Sequence, residues 1–263
     1  MITKTFKRFE NKYQLNESQL KQLMPLLLTQ MKPDAYTSKN DGYSIYNIYY
    51  DTDNYDIIRH SLSKPYYKEK LRLRSYAIPT SPDDQVFLEL KKKIGGVVNK
   101  RRATLSLYEA SRFISKLEYP KEINIMNQLV LEEIEFFLKN QRVTPKTYIG
   151  YERIAFVGKD DPELRVTFDY NLKSRQHSLS LDKGDFGHFL IPEDQYLMEV
   201  KILGAIPLWL THALSELEIY SSSFSKYGKA YKDYRQQSIS KLINLPIYTN
   251  NNINNKLTPC VNN

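Results

Sequence analysis

Apolar and polar residues alternate with a period of two in eight segments, 4–14, 43–51, 67–77, 85–94, 97–106, 147–157, 163–171 and 195–203. That period sends successive side chains to opposite faces of an extended strand. Between these segments the apolar period lengthens to three or four, which predicts helices over 17–31, 53–61, 107–118, 121–140, 206–219 and 226–240. Asn16 is placed to cap the first helix, Pro25 is expected to kink or split it, and Pro207 suits the first turn of the fifth. Gly95-Gly96 signals a hairpin that makes the fourth and fifth strands adjacent and antiparallel. The pattern predicts an α+β fold: an eight-stranded antiparallel β-barrel, closed or nearly so, with helices around it.

One face of seven of these strands is ionic. Arg8, Glu10 and Lys12 share a face in the first strand, and Arg72 and Arg74 alternate with Leu71 and Leu73 in the third. Glu89, Lys91 and Lys93 oppose Leu88 and Leu90, and Lys100 and Arg102 oppose Ala103 and Leu105. Tyr151 and Arg153 share a face, as do Arg165, Thr167 and Asp169, and Glu199 and Lys201. An amphipathic strand ordinarily turns such a face to water. Here the helices also need apolar cover, so the apolar faces are expected to lie outward beneath them and the ionic faces to line the inside. Two like charges about 6 Å apart repel by roughly 3 kcal/mol at an effective dielectric near 20. A lining dominated by cations therefore calls for an anionic occupant, and lysine and arginine both donate to phosphate oxygens.

Composition narrows the classes further. The 263 residues carry a formal net charge of +8, which favours an anionic partner. No window approaches 18 consecutive apolar residues, and no apolar stretch follows the N-terminal charges, so neither a membrane span nor a secretory signal is expected and the reading is cytoplasmic. Cys260 is the one cysteine, which leaves no intrachain disulfide or CxxC metal site. Residues 1–243 read as one domain, and 244–263, with eight asparagines, as a disordered tail. His60, His177, His188 and His212 are scattered without ligand spacing, and Ser178 and Ser180 form no nucleophile elbow. The glycine pair lacks the context of a phosphate-binding loop. Most of the 21 tyrosines fit strand packing better than base stacking, and Trp209 fits a helix core.

The same residues resemble a known family. RFENKY at the start resembles the first strand of the CYTH/triphosphate-tunnel superfamily, whose motif is ExExK. YYDTDNYD, KLRLRSY, VFLELKKK, KRRATL, YIGYERIAF, LRVTFD, LMEVKILGAIPLW and SSFSKYGKAY follow in the order of its VTC-type polyphosphate polymerase branch, over about residues 6–234. The resemblance implies an eight-stranded tunnel that moves the γ-phosphoryl group of ATP onto an inorganic polyphosphate chain. It implies tunnel cations at Lys12, Arg72, Arg74, Lys91, Lys100, Arg153 and Arg165, a metal-binding Glu199 followed by Lys201, and a phosphate-contacting Tyr151. Ser225 and Lys226 match the SK pair before the last helix, and Lys93 stands where fungal members tend to carry histidine. Arg8 replaces the first glutamate of ExExK, which leaves fewer acids for metals than in the two-metal triphosphatases and cyclases.

Under this reading Arg72, Arg74, Arg153 and Arg165 clamp equatorial oxygens, and Lys12, Lys91, Lys93 and Lys100, with Arg102 on the same face, hold the triphosphate or the departing chain. Glu199 holds Mn²⁺ or Mg²⁺. Glu10 and Glu89 either assist it or orient neighbouring cations, and Asp169 is structural. A triphosphate hydrolase and a non-catalytic polyanion-binding module are the alternatives. Nucleic acid is not expected in a narrow tunnel, and a membrane-protein partner that exports the product is compatible with the chain.

Overall fold

The computed structural model describes residues 8–37 and 41–243, so the Asn-rich segment 244–263 and its cysteine lie outside the described residues. The strands are β1 (Arg8–Asn16), β2 (Met31–Pro33), β3 (Tyr43–Asp51), β4 (Tyr67–Ser75), β5 (Gln85–Ile94), β6 (Val97–Ser106), β7 (Thr144–Gly158), β8 (Arg165–Arg175), β9 (His188–Phe189) and β10 (Gln195–Leu203). The helices are α1 (Glu17–Gln30), α2 (Asp56–Leu62), α3 (Leu107–Lys116), α4 (Ile125–Asn140), α5 (Leu208–Glu216) and α6 (Lys226–Ile243). No helix among the described residues is long and apolar enough to cross a membrane.

All neighbouring strands are antiparallel, in the order β1-β10-β8-β7-β3-β4-β5-β6, with β2 on β7 and β9 on β8. The expected antiparallel eight-strand path is present, and its closure into a barrel is not seen as a ladder among the described residues. The path ends at β1 and β6, and no backbone ladder joins these two strands among the described residues. The first half of β6, Val97–Arg101, is exposed. The sheet still curls far enough for its two ends to act on each other electrostatically, Lys91 of β5 on Glu10 of β1 and Lys12 of β1 on Lys70 of β4. At the β5–β6 turn Gly95 and Gly96 both adopt positive φ, 53° and 90°, as a tight two-residue hairpin of this kind requires.

The convex side is covered by helices as the alternation requires. Leu71, Leu73, Leu88, Leu90 and Leu105 pack against Phe113 of α3 and Leu131, Ile134 and Phe137 of α4. On the other half Val166, Phe168, Met198 and Val200 pack against Leu23 and Leu27 of α1 and Leu210 and Leu214 of α5. Asn16 caps α1 in a reciprocal capping box with Gln19. Pro25 does not split that helix: it stands on the exposed side, where the carbonyl deprived of its backbone partner meets water, while Leu23 and Leu27 are fully buried.

The concave face is less uniformly ionic than the pattern suggests. Ile45, Tyr49, Ile149, Leu172 and Leu197 form a third core with Ile58 of α2 and Tyr227 and Ala230 of α6. The first turns of α6 place Tyr227, Ala230, Tyr231 and Tyr234 at i, i+3, i+4 and i+7, one side of an otherwise polar helix. The Tyr227 ring stacks on Tyr49 with centroids 4.7 Å apart, and its hydroxyl donates to buried Asp51 at 2.8 Å. Asp51 also accepts from the backbone of Thr52, Ile57 and Ile58, so one carboxylate ties α2, β3 and α6 together.

Candidate functional site

The remainder of the concave face gathers the charges. β4, β5 and β6 bring Arg72, Glu89 and Arg102 level with one another through the ladder register. The Glu89 side chain, 1% exposed, accepts from Arg72 Nε at 2.6 Å, from Arg102 Nε at 2.6 Å and from Lys100 Nζ at 2.7 Å, with Arg74 Nε 3.9 Å away. Burial pushes its carboxyl up, but Arg72, Arg74 and Lys100 outweigh burial and hold it far below the usual carboxylate range. The guanidiniums are held from their other sides by phenols and an amide. Arg72 donates to Tyr49 OH at 3.2 Å, Arg74 to Asn47 Oδ1 at 2.9 Å and Tyr151 OH at 3.1 Å, and Arg102 to Tyr76 OH at 3.0 Å.

A second group forms where β7, β8, β10, β1 and α6 meet. Fully buried Asp169 takes both forks of Arg153, at 2.5 and 2.7 Å, and also accepts from Lys226 Nζ. The α6 core described above positions Lys226, which reaches Glu199 at 3.5 Å and lies 4.7 Å from the Tyr151 ring centroid. Lys12 contacts Glu10 and Glu199, each at 3.4 Å, and Lys201 contacts Glu199 at 3.2 Å. Burial would raise the Glu199 carboxyl, yet Lys226, Lys201, Lys12 and Arg153 bring it well below its ordinary value. Glu10 behaves alike: burial and Glu199 raise it, and Lys91, Lys12 and Lys201 carry it lower.

Beyond Arg72 and Glu89 the ladder turns to lysines only. Lys70 stands opposite Lys91, and Lys68 opposite Lys93. Neither Lys70 nor Lys91 has an ion pair within 4 Å among the described residues. Burial, then Lys68, Lys91 and Lys12, push the Lys70 ammonium down to about 7. Lys91 is lowered chiefly by burial, which Glu10 partly opposes.

The fold thus brings together Lys12, Arg72, Arg74, Lys91, Lys100, Arg102, Tyr151, Arg153, Glu199, Lys201, Lys226, Glu10 and Glu89. It leaves others apart. Arg165 is exposed at the start of β8, opposite Lys201. Lys93 is half-buried and faces only Lys68 and Val98 across its ladders. Ser225 Oγ accepts from Gly228 N and so caps α6. Lys92, as its alternation requires, turns outward to Glu133 of α4 at 2.8 Å. Sequence reasoning missed Lys70, Asn47, Tyr49 and Tyr76. Lys70 was recoverable, two residues before Arg72 on one face; Asn47 and Tyr49 sit in a strand whose concave side reads as apolar.

The arrangement offers donors for a divalent cation. Glu10 and Glu199 are hard oxygen ligands close enough to share Lys12, and directly across the ladder from Glu199 is Thr167, whose buried hydroxyl has no hydrogen-bond partner among the described residues. That set suits Mg²⁺ or Mn²⁺, which need one or two carboxylates when phosphates supply the rest. No group of three or more His, Cys, Asp or Glu residues positioned for a metal occurs among the described residues. Glu89, with both oxygens engaged by cations, fits such a role less well.

The structure is a curled antiparallel sheet whose concave face carries cations in excess over Glu10, Glu89, Asp169 and Glu199. The family model for the VTC domain matches residues 7–234, and the chain belongs to that family. No curated protein matches it significantly. Among solved structures the chain is similar to a candidate adenylate cyclase from Bacillus halodurans, with 14% identity over 83% of this chain and 95% of that one at a TM-score of 0.49. It is also similar to the PH1819 protein of Pyrococcus horikoshii OT3, with 11% identity, 89% and 99% coverage and a TM-score of 0.37. A chain of the Schizosaccharomyces pombe Mediator head module gives 12% identity, 80% and 90% coverage and a TM-score of 0.39.

Proposed function

We propose that this protein is a polyphosphate polymerase that transfers the γ-phosphoryl group of ATP to the end of an inorganic polyphosphate chain. The observation that carries the reading is the ladder of cations running from Arg74 and Arg72 to Lys70 and Lys68 on β4, with Lys91 and Lys93 beside it. On the β4–β5 ladder it continues past Glu89 into lysines, with Glu10 of β1 beside Lys91. Such a segment is costly when empty and favourable around a linear polyanion longer than a triphosphate.

A terminal oxygen of the acceptor chain forms a bond to the γ-phosphorus as the bond to the β-phosphate oxygen breaks, and ADP departs with that electron pair. Transfers of this kind require positioning and charge neutralisation more than covalent chemistry. Arg72, Arg74 and Arg153 are held by Glu89, Asn47 and Asp169 with donor groups fixed in direction, so little reorganisation is needed as charge spreads over the equatorial oxygens. Arg165 serves at the approach to this face. Lys70, Lys91, Lys93 and Lys100 retain the chain, and Lys12, Lys201 and Lys226 neutralise phosphates near Glu199. Glu10 and Glu199 would hold Mn²⁺ or Mg²⁺, which when bound supplies additional neutralisation of bridging phosphate oxygens.

The test is incubation of the purified protein with ATP and Mn²⁺, products being resolved on a polyphosphate gel beside an orthophosphate assay. Long chains appearing with stoichiometric ADP support the polymerase. Orthophosphate without chains overturns it in favour of a triphosphate hydrolase.

A further inference from the structure

Four aromatic rings stand in a row beside the arginines. Tyr36 contacts Tyr43 with centroids 5.7 Å apart, Tyr43 contacts Tyr76 at 6.2 Å, and Tyr76 contacts Phe87 at 5.4 Å. The row's two outer tyrosines are exposed, Tyr36 at 68% and Tyr76 at 39%, while Tyr43 between them packs against the third core. The row is not attached to a loose segment. The turn that carries Tyr36 is pinned to β7 by Asp34 N donating to Ala155 O and by Ala155 N donating to Thr37 Oγ1, both at 2.9 Å, and Asp34 Oδ1 accepts from Tyr36 N and Thr37 N. The rings adjoin the arginines that begin the ionic ladder. Tyr43 lies opposite Arg153 on β7, Phe87 lies opposite Arg74 on β4, and Arg102 sits 5.8 Å from the Tyr76 centroid and 4.6 Å from that of Phe87.

Two physical facts bear on this juxtaposition. Exposed, pre-positioned rings with cations at their edge bind planar heteroaromatic groups, and stacking of one base contributes about 1–3 kcal/mol. The lysine end of the ladder, at Lys68 and Lys93, offers no comparable row: the aromatics there, Tyr66 and Tyr67, have no ring partner among the described residues. The two ends of the ladder therefore differ in the ligand chemistry they suit.

We propose that the Tyr36–Tyr43–Tyr76 row is a nucleobase platform, which seats the base of a nucleoside triphosphate at the arginine end and directs its terminal phosphate toward Lys70 and Lys91. This rests on the polymerase reading for the identity of the phosphate donor. The base is held by its faces and not by hydrogen bonds to its edge, so purine and pyrimidine nucleotides are both accepted. A triphosphate entering the other way round would leave its base among ammonium groups with no ring to stack on.

The experiment compares ATP with inorganic tripolyphosphate, by calorimetric titration, on the wild-type protein and on Tyr36→Ala and Tyr43→Leu. Tyr36→Ala changes an exposed side chain, and tripolyphosphate binding serves as the control for an intact ionic face. The expected result is a loss of ATP affinity of roughly 5- to 150-fold, with tripolyphosphate affinity unchanged. Equal effects on the two ligands, or none on either in both variants, overturn the platform while leaving the phosphate-binding face standing. Failure of the wild-type protein to bind either ligand overturns the platform together with the reading it rests on.

Discussion

Glu89→Gln isolates the electrostatic logic of the concave face. The substitution keeps the shape and an acceptor oxygen but removes the charge that Arg72, Arg102 and Lys100 share at 2.6–2.7 Å. Lys100 is 39% exposed, so its pairing is largely screened and adds little. The cost comes from Arg72 and Arg102, whose partner is 1% exposed. Removing one member of a buried ion pair costs about 3–5 kcal/mol, and the retained hydrogen-bond acceptor argues for the lower end, about 3 kcal/mol. For a chain of this size that is a fall in Tm of about 6–12 °C. The assay is thermal unfolding in phosphate-free buffer, with and without saturating tripolyphosphate. Tripolyphosphate should close most of the gap, because it supplies the negative charge that the substitution takes away. The pH dependence has a definite sign. The folded-state pKa of Glu89 lies below its ordinary value of 4.5, so the stability it contributes is present above about pH 4.5 and is lost as pH falls toward the folded value. The two proteins should converge in that acid window. A variant as stable as wild type at pH 7, or a deficit that tripolyphosphate leaves intact, would refute the reasoning.

Four further outcomes are expected. Tripolyphosphate binding at pH 8 should take up protons, since an anion beside Lys70 raises an ammonium held at about 7, and Lys70→Met should reduce that uptake; calorimetry in buffers of differing ionisation enthalpy measures it. The same variant, without anion, should be more stable than wild type at pH 7 and converge with it toward pH 10.5, because Lys70 favours unfolding below its unfolded pKa and contributes least where both states are neutral. Glu199→Gln should shift the Mn²⁺ concentration for half-maximal activity upward by tenfold or more, and an unchanged Mn²⁺ titration would remove Glu199 from the metal. Arg165→Ala should leave Tm unchanged, since Arg165 is exposed and unpaired among the described residues, while lowering turnover; unaltered turnover would place it outside the working face.

The period-two pattern made the eight long strands legible because each buries one face under helices, and burial enforces strict alternation. β2 and β9 escaped notice because three and two residues are too short to show a period. The charges of β4, β5, β6, β8 and β10 were legible for the same reason. What the pattern hid was the apolar part of the concave face. On β3 the concave positions Ile45 and Tyr49 look like any buried strand, because α6 packs on them from the inside and alternation cannot tell which side a helix lies on. Arg175 was hidden differently. It is 1% exposed, lies between the rings of Tyr148 and Phe186 at 3.5 and 4.1 Å, and spends its donors on the carbonyls of Ser178, Ser180, Gly184 and Phe186. No spacing rule announces a cation whose partners are backbone atoms of an irregular loop.

Under the proposed function, the lack of a β1–β6 ladder among the described residues would bear on how a long polymer is handled. A ring sealed by hydrogen bonds admits a strand only by its tip, and finding that tip grows slower as the polymer lengthens. Here no ladder spans β1 and β6 among the described residues, and what acts across the gap is the field of Lys91 on Glu10 and of Lys12 on Lys70. On that reading, parting these edges would break no ladder seen among the described residues, and a polyanion arriving sideways would replace the attraction lost by Lys91 with its own. On that reading the molecule would act as a clasp and not a needle's eye.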